Sequence, residues 1–300
     1  MTDFHSGYVA IIGRPNVGKS TLVNALLGQK IAAVSPRPQT TRRRQLGILT
    51  TESYQMVFVD TPGLHTARHK LGEYLNQEAH EAQEGVDAVL WLVDVTTSPS
   101  EDDQQIASQL PRRPPLVLGL NKVDLVLADV LATRLEAYQA VLPREATVVK
   151  LSATRGDGLP ELLPLLVSFL PVREAEFDAE QVTDLYEKEI AADLIRESAL
   201  LHLRDEVPHG VAVRIDEFKE RENGMAYIAA TLFVERDSQK GIVIGEGGKM
   251  LKTIGSAARA EIESMGGRKV FLELRVKVLK DWRNDEEWLR RFGYKLKRKK

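Results

Sequence analysis

The sequence predicts an α/β domain with a parallel-rich sheet, followed by a smaller α+β domain. Three observations carry this. Apolar runs and amphipathic stretches alternate over residues 1–171. After a break at "FLPVREAEFDAEQVTD" the order becomes helix, two strands, two helices, strand, helix. The charge also changes along the chain.

In the first part, YVAII (8–12), MVFVD (56–60), AVLWLVD (88–94), LVLGL (116–120) and TVVKL (147–151) read as buried strands. Helical spacing falls near 19–27, 70–83, 101–110, 129–141 and 159–169. Pro171 and a run of acids mark residues 172–182 as a linker. The second domain then covers 183–300. A helix is predicted over 183–203, strands over 210–218 and 225–235 with a "KERENG" turn between, a helix near 248–264 and a strand over 269–279. A short basic helix closes it.

Three hundred residues exceed one average domain, and 43% apolar with 28% charged residues is ordinary for a globular chain. The absence of cysteine excludes a disulfide framework and thiolate chemistry. No apolar run approaches the roughly 20 residues of a membrane span. The N-terminus lacks the basic flank of a signal peptide, so a cytoplasmic chain is expected.

The net charge of −2 is unevenly spread. Residues 1–171 hold 16 basic and 18 acidic residues, 174–237 hold 7 and 17, and 238–300 hold 17 and 8. A basic C-terminal part ending in "YKLKRKK" points to a polyanion partner, nucleic acid or an anionic membrane surface. The plain alternative is a solvated basic helix and tail.

"GRPNVGKS" at 13–20 fits G-x-x-x-x-G-K-[ST], placed after a strand and opening a helix. Gly13 and Gly18 let backbone N–H groups of the loop (Arg14, Pro15, Asn16, Val17) wrap a phosphate, although Pro15 itself brings no N–H. Lys19 reaches the β- and γ-phosphates, Ser20 ligates Mg²⁺, and Thr21 completes the set at the helix N-terminus. "DTPG" at 60–63 ends a core strand. Asp60 is placed to hold Mg²⁺ through water, Thr61 and Pro62 follow it, and Gly63 offers an N–H to the γ-phosphate. "NKVD" follows another strand: Asn121 and Lys122 lead to Asp124, which would accept N1–H and N2–H₂ of guanine. "LSA" (Leu151, Ser152, Ala153) would supply a backbone N–H to guanine O6. All lie at strand C-terminal ends, where parallel sheets bind ligands. The candidate catalytic set is Lys19, Asp60, Gly63 and Asn16.

This set resembles the translation-factor-related GTPases, and its pairing with such a C-terminal domain is similar to the bacterial Era family, within the TrmE-Era-EngA-like group. The resemblance spans essentially the whole chain. It implies a P-loop GTPase domain with GTP/GDP and Mg²⁺. It places "QTTRR" (39–43) in the first switch, where Thr41 would complete the Mg²⁺ shell; the sequence itself leaves Thr40 and Thr41 open. It also implies that Asn16 ligates a K⁺ ion; stabilising the loop turn is the alternative. Leu64 stands where Ras-like enzymes carry a water-orienting glutamine, so slow intrinsic hydrolysis is expected. His65 and His69 are four apart, but no third ligand is evident and no metal site is expected there.

A second glycine loop, "IVIGEGGKM" at 242–250, has the G-x-x-G pattern of a KH domain between two helical stretches. Gly245, Glu246, Gly247 and Gly248 would lie along an RNA backbone, with Lys249 and Lys252 on the following helix. Ile242, Ile244 and residues of the neighbouring strand would line the base groove. The element order matches the type II KH arrangement. Glu246 is acidic where phosphates should pass, and a loop with no RNA role is the alternative.

The resemblance implies GTP hydrolysis coupled to binding of the 3′ end of 16S rRNA during 30S ribosomal subunit assembly, by a monomer. GTP would order segments 37–44 and 60–70 and thereby govern the RNA groove. Two other readings are a peripheral membrane GTPase held by its basic tail and an RNA-binding scaffold in which GTP is structural.

Overall fold

The computed structural model describes residues 3–35, 37, 40–64, 67, 69–222 and 224–294. The chain divides into two units: residues 1–32, 41–66 and 75–184, and residues 33–40, 67–74 and 185–300.

In the first unit, β1 (His5–Ile12), β2 (Gln45–Thr50), β3 (Tyr54–Asp60), β4 (Ala88–Asp94), β5 (Leu116–Asn121) and β6 (Thr147–Leu151) form one sheet in the order β2-β3-β1-β4-β5-β6. All neighbours are parallel except β2 and β3. Helices α1 (Lys19–Leu27), α2 (Lys70–Glu81), α3 (Glu101–Gln109) and α4 (Ala128–Ala140) lie between successive strands, and α5 (Leu159–Val167) follows β6. Near-continuous burial along β1 and β4 explains their unbroken apolar runs, since both sheet faces are covered. One core holds Ile11, Leu22, Phe58 and Leu162; the opposite one holds Ile12, Trp91, Leu118 and Tyr138.

Strand β2 carries no strong alternation in "QLGILT", and its pairing is antiparallel. Residues 172–182, anticipated as a linker, and the two that follow are bonded to this unit. Ile48 N–H donates to Val182 O at 2.9 Å, and Leu46 N–H to Asp184 Oδ1 at 2.9 Å. The fully buried Gln55 side chain accepts the N–H groups of Glu176 and Phe177 and donates to Phe177 O at 2.8 Å.

In the second unit, α6 (Glu187–His202) is followed by β7 (Ala212–Glu220), β8 (Ala226–Val234), α7 (Asp237–Ile244), α8 (Lys249–Gly266), β9 (Val270–Val278) and α9 (Glu286–Arg291). The sheet order is β7-β8-β9, with β7/β8 antiparallel and β8/β9 parallel. Leu194, Ile228, Leu232, Ile254 and Ala258 form its core, so one face of the sheet is roofed by helices. This is the α-β-β-α-α-β-α order expected from the sequence. Buried Arg196 on α6 donates to the Thr40 carbonyl, and the Tyr74 and Tyr294 rings meet at 5.2 Å. His65 and the tail 295–300 lie outside the described residues.

Candidate nucleotide site and nucleic-acid groove

The phosphate loop joins β1 to α1. Gly18 caps the helix in the left-handed region (φ 105), where a Cβ would lie 2.3 Å from Asn121 Nδ2. Lys19 is 6% exposed, and its amine donates to the Gly13 and Arg14 carbonyls at 3.0 and 2.8 Å. Burial draws this ammonium down to about 8, against the pull of Asp60.

Three oxygen-bearing side chains converge beside the loop. Ser20 Oγ–H donates to Asp60 Oδ2 at 2.6 Å, and the Thr41 hydroxyl meets Ser20 Oγ at 2.8 Å. Asp60 is wholly buried, which pushes its carboxyl up, opposed by Lys19, Ser20 and the Thr61 N–H. Its Oδ1 is buried with no hydrogen-bond partner among the described residues. Two hydroxyls and one carboxylate with a spare oxygen suit a hard divalent cation such as Mg²⁺, which needs few protein ligands beside phosphate oxygens. Of the two candidate threonines, Thr41 is the one brought here; the Thr40 hydroxyl donates to Arg37 O at 2.8 Å.

Other predicted residues serve the scaffold. Asn121 Nδ2 donates to Val17 O at 2.7 Å, and its Oδ1 accepts the Ala153 N–H at 2.9 Å. Of the three residues expected to offer an N–H to guanine O6, Ala153 has its N–H engaged by Asn121, which ties the two loops together. Ser152 N–H goes to Asp157 O at 3.0 Å, and Leu151 is fully buried in the core. Thr61 Oγ1 donates to Ile11 O at 2.9 Å. Gly63 approaches Pro15 so closely that a Cβ would lie 2.4 Å from its nitrogen, with Pro62 just before it. Thr21 lies in the first turn of α1, and Asn16 takes a positive φ of 66. Leu64 is buried in the core that holds Trp91, so it presents no group to a water. Lys122 pairs with Asp94 at 2.5 Å, while Asp124 Oδ1 is buried without a hydrogen-bond partner among the described residues. An orphaned acceptor at this edge matches a ligand bringing N–H donors.

In the second unit, Gly245 (φ 70) ends α7, and a Cβ there would lie 2.7 Å from Met250 Cβ. A single turn over Glu246–Gly248 leads into α8, with Glu246, Gly247 and Lys249 exposed. A groove of about 400 Å³ opens beside it, lined by Gly248, Leu251, Lys252, Gly255, Ser256 and Arg259 and floored by Leu272 and Leu274 of β9. Ile242 and Ile244, expected here, sit on α7 and are not part of this lining. The groove residues of α8 missed from sequence, Leu251, Gly255, Ser256 and Arg259, follow Gly248 at helical spacing, a signal that projection along α8 would have exposed.

Comparisons agree with both halves. Residues 8–122 match a family model described as a 50S ribosome-binding GTPase, and residues 206–283 match a KH domain model. A protein named GTPase Era from Ruminiclostridium cellulolyticum is 47% identical over 293 residues, covering 97% of this chain and 98% of that one. The chain belongs to the Era family of GTPases.

The Era protein of Geobacter metallireducens is 50% identical at the same coverage. A solved Era structure in complex with MgGDPNP and nucleotides 1506–1542 of 16S ribosomal RNA superposes with a TM-score of 0.93 at 38% identity, over 98% of this chain and all of that one. A variant of Era from Aquifex aeolicus bound to GDP and AlF₄⁻ matches equally well in TM-score, 0.93, at 37% identity. The Era-family assignment therefore covers both the GTPase unit and the KH unit. Among the described residues, no helix of this Era-family chain is long and apolar enough to cross a membrane.

Proposed function

We propose that this chain hydrolyses GTP with Mg²⁺ and uses its nucleotide state to govern binding of the single-stranded 3′ end of 16S rRNA in the KH groove, during maturation of the small ribosomal subunit. The observation that carries it is the convergence of Ser20, Thr41 and the spare oxygen of Asp60 beside the loop of Lys19. Lys19 and the loop N–H groups hold the β- and γ-phosphates, and Asp124 selects guanine. Bound Mg²⁺ would neutralise phosphate charge, held by Ser20, Thr41 and Asp60. Asn16 would hold a K⁺ ion, which would offset charge in place of the missing glutamine.

Coupling is supported by adjacent residues of the chain. Thr41 bonds to Ser20 of the nucleotide site, while the carbonyl of Thr40 accepts from Arg196 on α6. A nucleotide that fixes Thr41 therefore biases the segment held by Arg196. The groove lining of Lys252 and Arg259 around Leu272 and Leu274 supports backbone phosphates outside and bases within. The chain acts as a cytoplasmic monomer on the 30S subunit.

The test is binding of the 16S 3′-end oligomer by the full chain with GDP and with a non-hydrolysable GTP analogue. Tighter binding with the analogue is expected. Equal binding in both states defeats the coupling, and binding to anionic vesicles but not to RNA favours the membrane reading.

A further inference from the structure

We propose that Asp103, which lies outside every nucleotide motif, is a positioning residue for the phosphate loop and acts through Arg14. This rests on the reading that the loop holds a guanine nucleotide.

Asp103 occupies the third position of α3 and is wholly buried. One carboxylate oxygen, Oδ2, accepts both the N–H and the hydroxyl of Ser100 at 2.9 Å, forming the helix capping box. The other, Oδ1, lies 2.8 Å from Nε of Arg14, the first residue after Gly13 of the phosphate loop. Capping alone needs only the first oxygen. This carboxylate is wholly buried while the Arg14 side chain is 21% exposed, and a buried charge is sensitive to loss of its partner.

Further contacts surround this pair. Arg14 Nη2 donates to Thr97 Oγ1 at 3.3 Å, in the segment that leads from β4 to α3. The fully buried Tyr138 packs edge-on against Trp91, and its hydroxyl donates to Asp94 O at 3.3 Å. Burial, then the Asp103 charge, pushes that hydroxyl up to about 12, so it stays a neutral neighbour of the pair. The side chain of Arg14, counted among the nucleotide residues from sequence, is therefore engaged by α3. Its backbone does the local work: the Arg14 carbonyl receives the Lys19 amine at 2.8 Å. Asp103 fixes Arg14, and Arg14 fixes the place from which Lys19 must move to meet a phosphate. Loss of the pair loosens the loop and shortens the stay of the nucleotide.

The experiment follows release of fluorescently labelled GDP from the full chain with Mg²⁺ present, alongside thermal unfolding. Asp103→Asn and Arg14→Gln are each expected to speed release about tenfold, and the double variant about as much as either single one. Ser100→Ala weakens the cap that uses the same carboxylate but leaves Arg14 paired. It should lower the melting temperature while leaving release within about twofold of the unmodified chain. Should Asp103→Asn fail to fold, Arg14→Gln and Ser100→Ala decide by themselves. Unchanged release in Arg14→Gln, additive effects in the double variant, or equal acceleration by Ser100→Ala would each overturn the proposal. An unmodified chain that binds no GDP overturns the nucleotide reading, and this proposal with it.

Discussion

Asn121 reaches across 104 positions of the chain to donate from Nδ2 to the carbonyl of Val17 at 2.7 Å. Its Oδ1 takes the Ala153 N–H, so one buried amide locks two loops to the end of β5. Asn121→Ala strands both partners, at about 1–3 kcal/mol for each buried group left unpaired. A lower melting temperature and GDP release faster by about tenfold or more are expected, read by calorimetry and labelled-nucleotide release. A variant with unchanged release would show that this amide only stabilises the fold.

Asp124 Oδ1 is buried and without a hydrogen-bond partner among the described residues. Asp124→Asn replaces an acceptor by a donor, so preference should move from GTP toward XTP, whose C2 carries an oxygen. Competition between the two nucleotides measures it. Retained GTP selectivity would remove Asp124 from guanine recognition.

Lys19 gives a pH dependence. Its folded pKa, drawn by burial to about 8, lies below the roughly 10.4 of an unfolded lysine. The unfolded chain binds more protons between those values, so the nucleotide-free protein should gain stability as pH rises through 8. Phosphate beside Lys19 favours the ammonium and raises the pKa again. GDP binding above pH 8 should therefore take up about one proton, and affinity should fall as pH climbs from 7 to 9. Calorimetry in buffers of different ionisation heat, with chelator to keep metal out, reports the uptake directly. Zero proton uptake at pH 8.5 would contradict this.

Gly255 faces the groove, where a Cβ would lie 3.3 Å from Leu274 Cδ1. Gly255→Leu should fill the space a base would enter and weaken RNA binding by about tenfold, in keeping with about 1–3 kcal/mol per stacked base. GDP affinity should stay unchanged. Filter binding with a short single-stranded RNA tests the groove independently of the glycine loop.

Potassium is tested by exchange. Replacing K⁺ with Na⁺ at constant ionic strength should slow GTP turnover while Asn16 is present. Equal rates in both salts would leave Asn16 as a loop-turn residue.

The buried strands, the helix order of both units and the glycine loops were legible because each follows from a period or a turn that short stretches impose. Strand β2 was not, since Gly47 and the polar ends of its six residues give no alternation, and its burial comes from segments distant in sequence. The site residues were legible as a set but not in their division of labour. Nothing in "NKVD" says that Asn121 spends its amide on Val17, or that Asp94 engages Lys122. Asp103 reads as an ordinary helix-capping acid until the fold brings Arg14 beside it.

Residues 172–184, laid against β2 by way of Ile48 and Leu46 and against β3 by way of Gln55, bear on how the molecule is cut. A fragment ending at Pro171 would leave the outer edge of β2 as a bare row of amides, a template for joining other chains edge to edge. A fragment carried on to Asp184 keeps its own cover. The first should precipitate or self-associate where the second stays dispersed, so the acid-rich stretch acts as a built-in guard against misassembly.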